Sequence, residues 1–190
     1  WLVQLTSAQQ AHSADAVFAP VVPRYVPGTP AWIVQGQNFD RRRFPTGTRI
    51  DERDTRTGNV LISAALLKSM TGPFDADFGR TGGEDSLLFR DLLAKGAKFI
   101  WCDEAPVEED VPLDRANAAW LLRRAYRIGQ TWIRAEQHRR TGANRLAHGL
   151  YLYARALLQL LIALPLAAGF ALWSKHRAFA WLRKAASQAG

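Results

Sequence analysis

The stretch that decides the fold class is Gly82-Gly-Glu-Asp-Ser-Leu-Leu-Phe-Arg-Asp-Leu-Leu-Ala-Lys-Gly-Ala-Lys-Phe-Ile-Trp-Cys102. Within it, the spacing of four leucines from position 87 to position 93 predicts a helix over 86–95, with Gly96 as its stop signal. The apolar run over 97–102 predicts a buried strand. A helix that leads directly into a buried strand is typical of α/β folds.

The residues upstream of this stretch continue the alternation of helix and strand. Helical spacing over 1–12 and a β-branched and aromatic run over 15–23 predict a helix and then a strand. A second strand is predicted at 59–63, followed by a helix over 64–70 and a turn at 71–73. We therefore expect an α/β fold whose sheet is incomplete within these residues.

Between these elements, residues 24–57 form a polar stretch punctuated by proline and glycine, with the basic run Arg41-Arg-Arg43 at its centre. No helical or strand period runs through it. A loop of this length is more often functional than idle, so we expect it to contribute to a site.

Downstream of Val111-Pro112 the pattern is helical throughout. An arginine-studded amphipathic segment is predicted over 115–139, a break at Thr141-Gly142, and an apolar segment over 150–173. These patterns divide the chain into residues 1–114, which hold the α/β part, a basic helical segment at 115–149, and an apolar helix with a basic tail at 150–190.

The apolar segment has features of a membrane helix. The eighteen residues from Ala156 to Trp173 carry no charge, and basic residues flank them on both sides. However, Gln159 and Pro165 interrupt the run, and its length is the minimum for a span. A span, a helix in the plane of the interface, a hairpin broken near Pro165 and a buried helix of a soluble protein all remain open.

Composition narrows the functional classes. The net charge is +8, with the acids concentrated before Asp114 and a basic C-terminal third. Such a charge is compatible with nucleic acid, an anionic membrane or a phosphorylated substrate. The apolar segment favours the membrane, and no nucleic-acid-binding motif is present.

Cys102 is the only cysteine, which excludes an internal disulfide and favours a reducing, cytosolic compartment. With no secretory leader and no initiating Met, we expect a fragment.

Two carboxylates beside two glycines are the most chemically suggestive residues. Glu84 and Asp85 follow Gly82 and Gly83 at the predicted start of a helix, where backbone N–H groups and the helix dipole stabilise negative charge. An ionised carboxylate there can accept a proton from a sugar hydroxyl. Alternatively, these acids only cap the helix.

The order of motifs resembles that of the family 2 glycosyltransferases, especially the bacterial enzymes of succinoglycan-type exopolysaccharide assembly. Five segments occur in the family's order over about a hundred residues, and together they are specific where each alone is weak. The segments are Asp15-Ala-Val-Phe-Ala-Pro-Val21, Thr57-Gly-Asn59, Phe74-Asp-Ala-Asp-Phe-Gly79, Gly82-Gly-Glu-Asp85 and Val111-Pro-Leu-Asp-Arg115.

The resemblance implies a Rossmann-like A-type glycosyltransferase fold in which Asp85 is the catalytic base and Glu84 orients a sugar. Substrate binding is implied for Thr57, Gly58, Asn59, Gly82 and Gly83. The family holds a nucleotide sugar such as a UDP-sugar through a divalent cation, Mg²⁺ or Mn²⁺. The DxD motif that binds this metal is absent from the chain, since Asp75-Ala-Asp77 lies where the family binds no metal. We therefore expect no metal site here and weak nucleotide binding.

Further residues are weaker candidates for the site. Helical spacing places Arg124 and Arg127 with Trp120, so these arginines, with Arg115, are candidates for binding diphosphate, or equally for a face on anionic lipid. The missing QxxRW motif disfavours processive polymerisation. In the long loop, Trp32, Asn38 and Arg43 can shape an acceptor pocket. Glu108 or Glu109 can complete a metal shell, whereas the four histidines have no metal-binding spacing.

We accordingly expect an inverting glycosyltransferase at the cytoplasmic face of the plasma membrane, acting in exopolysaccharide or cell-envelope assembly. Its partners would be a nucleotide-sugar donor, a lipid-linked saccharide acceptor and the membrane surface, without nucleic acid. The alternative is a non-catalytic membrane-surface binding module.

Overall fold

The computed structural model describes residues 1–68, 70, 72, 74, 83–138 and 141–189. These residues form two compact units. The first comprises Trp1–Arg24 and Asp40–Glu109, and the second comprises Tyr25–Phe39 and Asp110–Gly190. Residues 25–39, assigned from sequence to the α/β part, thus belong to the unit that contains the C-terminal helices. The predicted functional division at 114 and 149 stays a prediction.

The first unit contains most of the strands. In chain order the helices and strands of the protein are α1 Leu2–His12, β1 Ala16–Phe18, β2 Val21–Tyr25, α2 Ala31–Gln35, a 3₁₀ helix at Glu52–Asp54, β3 Val60–Ile62, α3 Ala64–Lys68, α4 Glu84–Ala94, β4 Phe99–Trp101, β5 Val107–Val111, α5 Ala118–His138, α6 Gly142–Ala171 and α7 Lys175–Ala189. β1 lies in the middle of a three-stranded sheet, antiparallel to β3 and parallel to β4. β2 and β5 form a separate two-stranded sheet.

The alternation of side chains along β1 and β4 builds two cores, one on each face of the sheet. Phe18 and Phe99 point to the face covered by α4, where both rings contact Phe89 at centroid distances of 4.9 and 5.8 Å. Val17 and Ile100 point to the opposite face, into the cluster that contains residues of α1. Successive strand residues point to opposite faces, so three residues per strand suffice to hold helices on both sides.

Part of the polar loop extends the edge of this sheet. Ile50 lies on β4 through a backbone hydrogen bond of 3.2 Å from its N–H to the carbonyl of Phe99. The backbone of Thr48 accepts from the N–H of Trp101 at 2.9 Å, and Gly47 donates to the carbonyl of Trp101 at 2.9 Å. The loop that sequence patterns leave irregular is therefore fixed at its centre to the carboxyl end of β4.

The second unit is helical. α7 packs against α6, α5 and α2. Its core combines aromatic and aliphatic side chains, with the Phe179 ring on Trp32 at a centroid distance of 4.6 Å. α6 is a single helix that continues through Pro165, so the predicted hairpin break at this proline is wrong. Proline removes one N–H donor and strains the preceding turn, yet α6 stays continuous, and α7 packs along it. The chain turns instead at residues 172–174.

Most predicted elements are confirmed with small shifts. α4 begins at Glu84, two residues before the predicted start, and the predicted strand at 15–23 is divided into β1 and β2. β5 has no counterpart in the sequence analysis, because its three central residues, Glu108, Glu109 and Asp110, have the composition of a loop. The turn predicted at 71–73 lies largely outside the described residues.

Candidate functional site

The two acids of the glycine-rich segment occupy the first turn of α4. Gly83 is the N-cap, with a φ of 104° that only glycine adopts readily, so neither acid is the N-cap residue. Asp85 Oδ1 accepts the backbone N–H of Ser86 at 2.8 Å. Glu84 Oε2 is buried without a hydrogen-bond partner among the described residues. Both carboxylates therefore lie at the positive end of the helix dipole; Gly82 falls outside the described residues.

A half-buried ion pair joins α4 to the long loop. Arg90 holds Glu52 through contacts of 2.7 Å from Nε and 3.2 Å from the second nitrogen. Thr55, which is buried, donates its hydroxyl to the Glu52 carbonyl at 2.7 Å. A bidentate guanidinium–carboxylate contact fixes orientation as well as distance. The segment 52–56 is thereby positioned relative to the helix that carries Asp85.

A cavity of about 260 Å³ lies at the carboxyl ends of the parallel strands β1 and β4. Phe18, Ala19 and Trp101, which end these strands, form part of its wall. In open α/β sheets this is the side on which ligands bind. Its polar lining consists of four arginines, two aspartates and one asparagine: Arg41, Arg42, Arg53, Arg56, Asp40, Asp54 and Asn59.

Arg41 is one of the four arginines that line this cavity. The residue retains contact with solvent, but the surrounding protein removes enough water for burial to lower its pKa below the ordinary value for arginine. The nearby positive charge of Arg56 lowers this pKa further. Asp85 and Glu109 act in the opposite direction, so both acids lie within electrostatic range of Arg41. Asp85 is not among the residues that line the cavity, but its charge acts on Arg41, which does line it.

The Thr57-Gly-Asn59 segment has a structural role at its last residue. Asn59 is 5% exposed, and its Nδ2 donates to the carbonyls of Pro20 at 2.9 Å and Ala105 at 2.8 Å. Its Oδ1 accepts the indole N–H of Trp1 at 2.8 Å. These three bonds use both amide hydrogens and the oxygen, while Thr57 and Gly58 are exposed. A substrate role for this segment stays a prediction. Since the amide of Asn59 is bonded to other parts of the protein, Asn59 would contribute to such a role by positioning the loop.

Two loop residues proposed to shape an acceptor pocket are engaged elsewhere. Arg43 makes a bidentate contact with Asp103, each of the two bonds being 2.9 Å. Asn38, in the second unit, accepts from Arg183 through both its backbone oxygen at 3.2 Å and its side-chain oxygen at 3.0 Å. The two side chains therefore belong to different compact units.

The other arginine and tryptophan candidates all lie in the second unit. Arg124 lies over Trp120 at 5.2 Å and over Phe39 at 6.0 Å, and these two rings are stacked. Arg115 also lies over Trp120, at 5.9 Å. The predicted proximity of positions 120 and 124 is confirmed, while Arg127 is exposed. Cation–π contacts orient these guanidinium groups on the aromatic rings.

The two acids proposed as alternative metal ligands interact with different arginines. Glu108 pairs with Arg24 at 3.5 Å, whereas Glu109 acts on Arg41. In the part of the chain that the structure describes, no three His, Cys, Asp or Glu side chains come together as a metal site. Burial raises the pKa of the Cys102 thiol, which suits an inert core residue.

α6 presents a broad apolar surface. Its residues are long and apolar enough to cross a membrane, and only 11% of the most apolar stretch is buried within the protein. The buried positions, Leu152, Ala163 and Ala167, form a narrow stripe. Large apolar side chains cover the remainder of the helix, and several are more than half exposed: Leu146, Leu150, Tyr151, Tyr153, Leu158, Leu161 and Leu164. An exposed patch of this extent indicates a membrane or protein interaction surface.

Comparison with known proteins connects the chain to polysaccharide assembly. It is 33% identical over 150 residues to the succinoglycan biosynthesis protein ExoM of Rhizobium meliloti (strain 1021). The match covers 79% of this chain and 46% of that relative, so the chain spans less than half of the relative's length. No family model matches the chain. No solved structure matches it significantly.

Sequence reasoning overlooked the cavity at the carboxyl ends of β1 and β4. The run at 41–43 is visible as a basic cluster, but the contribution of Arg53 and Arg56 to the same space depends on how the loop folds back on the sheet. The signal that was available is the length of the loop together with its arginine content. A loop with five arginines between positions 41 and 53 and a further one at 56 would have justified an anion-site prediction.

Proposed function

We propose that the chain is part of an inverting family 2 glycosyltransferase that transfers a sugar from a nucleotide-sugar donor to a lipid-linked or membrane-proximal acceptor. The observation that carries this proposal is the position of Asp85, in the first turn of α4 and within electrostatic range of the cavity at the carboxyl ends of β1 and β4. The relationship to a succinoglycan biosynthesis protein supports a role in exopolysaccharide assembly.

In this mechanism Asp85 accepts the proton of an acceptor hydroxyl. The hydroxyl oxygen forms a bond to the anomeric carbon of the donor while the bond from that carbon to the diphosphate breaks, and the electron pair leaves with the diphosphate. A single displacement by one base inverts the anomeric configuration. Glu84, adjacent in the same helical turn, is available to orient a sugar hydroxyl.

A divalent cation, Mg²⁺ or Mn²⁺, is expected in the complete protein, where it would neutralise the departing diphosphate. The described residues do not fit a metal site, because no three potential ligands come together among them. The steps assigned to this chain therefore involve only its own side chains.

The reaction is proposed to occur at the cytoplasmic face of the plasma membrane. The exposed apolar surface of α6 supports membrane association, and basic residues on both sides of it suit anionic headgroups. The same surface favours the second candidate, a membrane-binding module without catalytic activity. Sugar transfer by the complete protein distinguishes the two. A transferase shows activity that Asp85→Asn abolishes, whereas a membrane-binding module shows no transfer at all.

A decisive assay measures sugar transfer from a panel of UDP-sugars to a membrane fraction that contains lipid-linked saccharides. The complete protein is compared with Asp85→Asn and with the control Asp114→Asn, which changes an exposed aspartate of the second unit. Transfer that survives in Asp85→Asn at the normal rate would reject the proposed base.

A further inference from the structure

We propose that Glu52 and Arg90 are positioning residues of the transferase, and that their ion pair sets where the base on α4 lies relative to the cavity at the carboxyl ends of β1 and β4. Neither residue is among those that line the cavity, so both act through the segments that carry them. This inference rests on the proposed function for the reaction, but the ion pair itself lies wholly within the first unit.

The first argument is what each partner carries. Glu52 begins the short 3₁₀ helix of the long loop. Three residues of the cavity lining follow it: Arg53, Asp54 and Arg56. Arg90 lies on α4, five residues after Asp85, which is about 7.5 Å further along the helix axis. The ion pair therefore joins a wall of the cavity to the helix that carries the proposed base.

The second argument is that this contact is directional. Arg90 Nε donates to Glu52 Oε2 at 2.7 Å, and Nη2 donates to Oε1 at 3.2 Å. Two parallel bonds fix orientation as well as distance. The two side chains are only 20% and 35% exposed, whereas those of the 3.5 Å pair Arg24–Glu108 are 63% and 66% exposed. Water therefore competes less with the Glu52–Arg90 pair, and its geometry is better defined.

The third argument is that both partners extend from one core. Phe89, next to Arg90 on α4, is fully buried against Phe18 of β1. Ile50, two residues before Glu52, is buried in the same cluster and lies on β4 through its backbone. The ion pair continues this shared core outward, to the residues of the cavity wall. Its loss should leave the core intact and loosen the 52–56 segment relative to α4.

The 52–56 segment also has bonds that do not involve Arg90. Asp51 Oδ1 accepts the backbone N–H of Arg53 at 2.9 Å, and the Thr55 hydroxyl donates to the Glu52 carbonyl at 2.7 Å. These bonds preserve the wall of the cavity when the ion pair is removed. We therefore expect an effect on kcat more than on KM, since a misplacement of about 1 Å can lower a rate up to about 10²-fold.

The test compares sugar transfer by the complete protein with transfer by Arg90→Gln, Glu52→Gln and the double variant. Each single substitution should lower kcat about tenfold and change KM for the donor less than about twofold. The double variant should be no slower than either single variant, because the second substitution removes nothing once the pair is broken. Arg90→Lys, which keeps the charge and loses the two-pronged geometry, should restore only part of the rate.

The matched control is Arg24→Gln, which removes the arginine of the exposed pair in the same unit and should leave kcat unchanged. Thermal unfolding of each variant separates positioning from stability. A pair that only stabilises the fold would lower the unfolding midpoint and leave kcat unchanged well below it, which would overturn the proposal. Additive losses in the double variant, or full activity of Arg90→Lys, would overturn it as well.

Hydrogen exchange of the 190-residue chain tests the pair without reference to activity. In Arg90→Gln the backbone amides of residues 52–56 should exchange faster than in the native chain, while those of β1 and β4 keep their rates. Unchanged exchange at 52–56 would show that the pair does not hold this segment. Failure of the transferase proposal is seen separately, as normal transfer by Asp85→Asn.

Discussion

The guanidinium of Arg43 holds the carboxylate of Asp103 in a bidentate contact, with two hydrogen bonds of 2.9 Å that join the basic run of the loop to the chain just after β4. Asp103 Oδ1 also accepts the indole N–H of Trp101 at 3.0 Å. Because Arg41 and Arg42 directly precede Arg43, this contact sets where they enter the cavity. A long polar loop thus becomes part of a defined site through one ion pair.

This pair predicts a dependence of stability on acid pH. The Arg43 guanidinium, assisted by the Trp101 indole, lowers the pKa of Asp103 below its ordinary value. The pKa of Asp103 is therefore lower in the folded state than in the unfolded state. The stabilisation is fully present above about pH 4, and it is lost as pH falls through the folded pKa. Since the side chains are 51% and 34% exposed, we expect less than about 1 kcal/mol.

Urea unfolding of the native chain and of Asp103→Asn between neutral and strongly acid pH measures this effect. The difference in free energy of unfolding should shrink toward zero as the solution becomes acid. Asp114→Asn is the control, because Asp114 is exposed. A difference that stays constant across the pH range would show that Asp103 stabilises the fold independently of its charge.

A second prediction concerns Asn59, whose amide joins three segments of the first unit. Asn59→Ala leaves the carbonyls of Pro20 and Ala105 without their donor, and buried groups left unpaired cost about 1–3 kcal/mol each. We expect a loss of about 2–4 kcal/mol in the free energy of unfolding. Thr57→Ala, at an exposed neighbour, should change stability by less than about 0.5 kcal/mol. Equal effects of the two substitutions would contradict this role.

The sequence predicted the regular elements well because each has a local signal. The leucine spacing of α4 and the apolar run of β4 are short-range patterns, and both elements are present within two residues of the predicted bounds. The uncharged run of α6 is likewise local, although Pro165 suggested a break that the helix does not have. Local signals are reliable where tertiary contacts agree with them.

The site was less predictable because its residues come together over long sequence separations. Nothing near Asn59 in the sequence indicates that its partners are Trp1, Pro20 and Ala105. The cavity likewise joins loop arginines to strand ends that lie far from them in the chain. Motif resemblance supplied Asp85 and Glu84, but it contained no information about the arginines beside them.

A third prediction tests the catalytic base directly. In the complete protein, Asp85→Asn should lower the rate of sugar transfer by about 10²–10⁴-fold, because the amide cannot accept the acceptor proton. Affinity for the donor should change little, since the substitution preserves size and the start of α4. Transfer is followed with a radiolabelled nucleotide sugar, and donor affinity is followed by calorimetry.

Glu84→Gln provides an informative comparison in the same helical turn. If Glu84 only orients a sugar, its substitution should raise KM more than it lowers kcat, whereas loss of Asp85 should act mainly on kcat. Reversal of this pattern would exchange the roles proposed for the two acids. The control Asp114→Asn should leave both constants unchanged.

The last prediction is that α6 lies in the plane of the membrane interface. α7 packs along α6 and carries Lys175, Arg177 and Lys184 beside it, while Arg183 is bonded to Asn38. If α6 crossed the bilayer, these cations would enter hydrocarbon at about 2.5–3.5 kcal/mol each. An interfacial helix instead buries its apolar face and keeps the cations at the headgroups.

The apolar surface itself is tested by placing charge on it. Leu158 and Leu161 are 60% and 72% exposed, so Leu158→Glu with Leu161→Glu should preserve thermal stability while weakening flotation with anionic vesicles at least tenfold. The matched control is Leu113→Glu, at a leucine that is 51% exposed and outside α6.

Binding of the native chain should weaken but persist as salt rises, since salt screens the arginines and lysines and leaves burial of the leucines intact. In proteoliposomes, proteases added outside should cleave on both flanks of α6, because both lie on the same side. Protection of one flank would establish a span, and undiminished flotation of the double variant would remove α6 from the membrane contact.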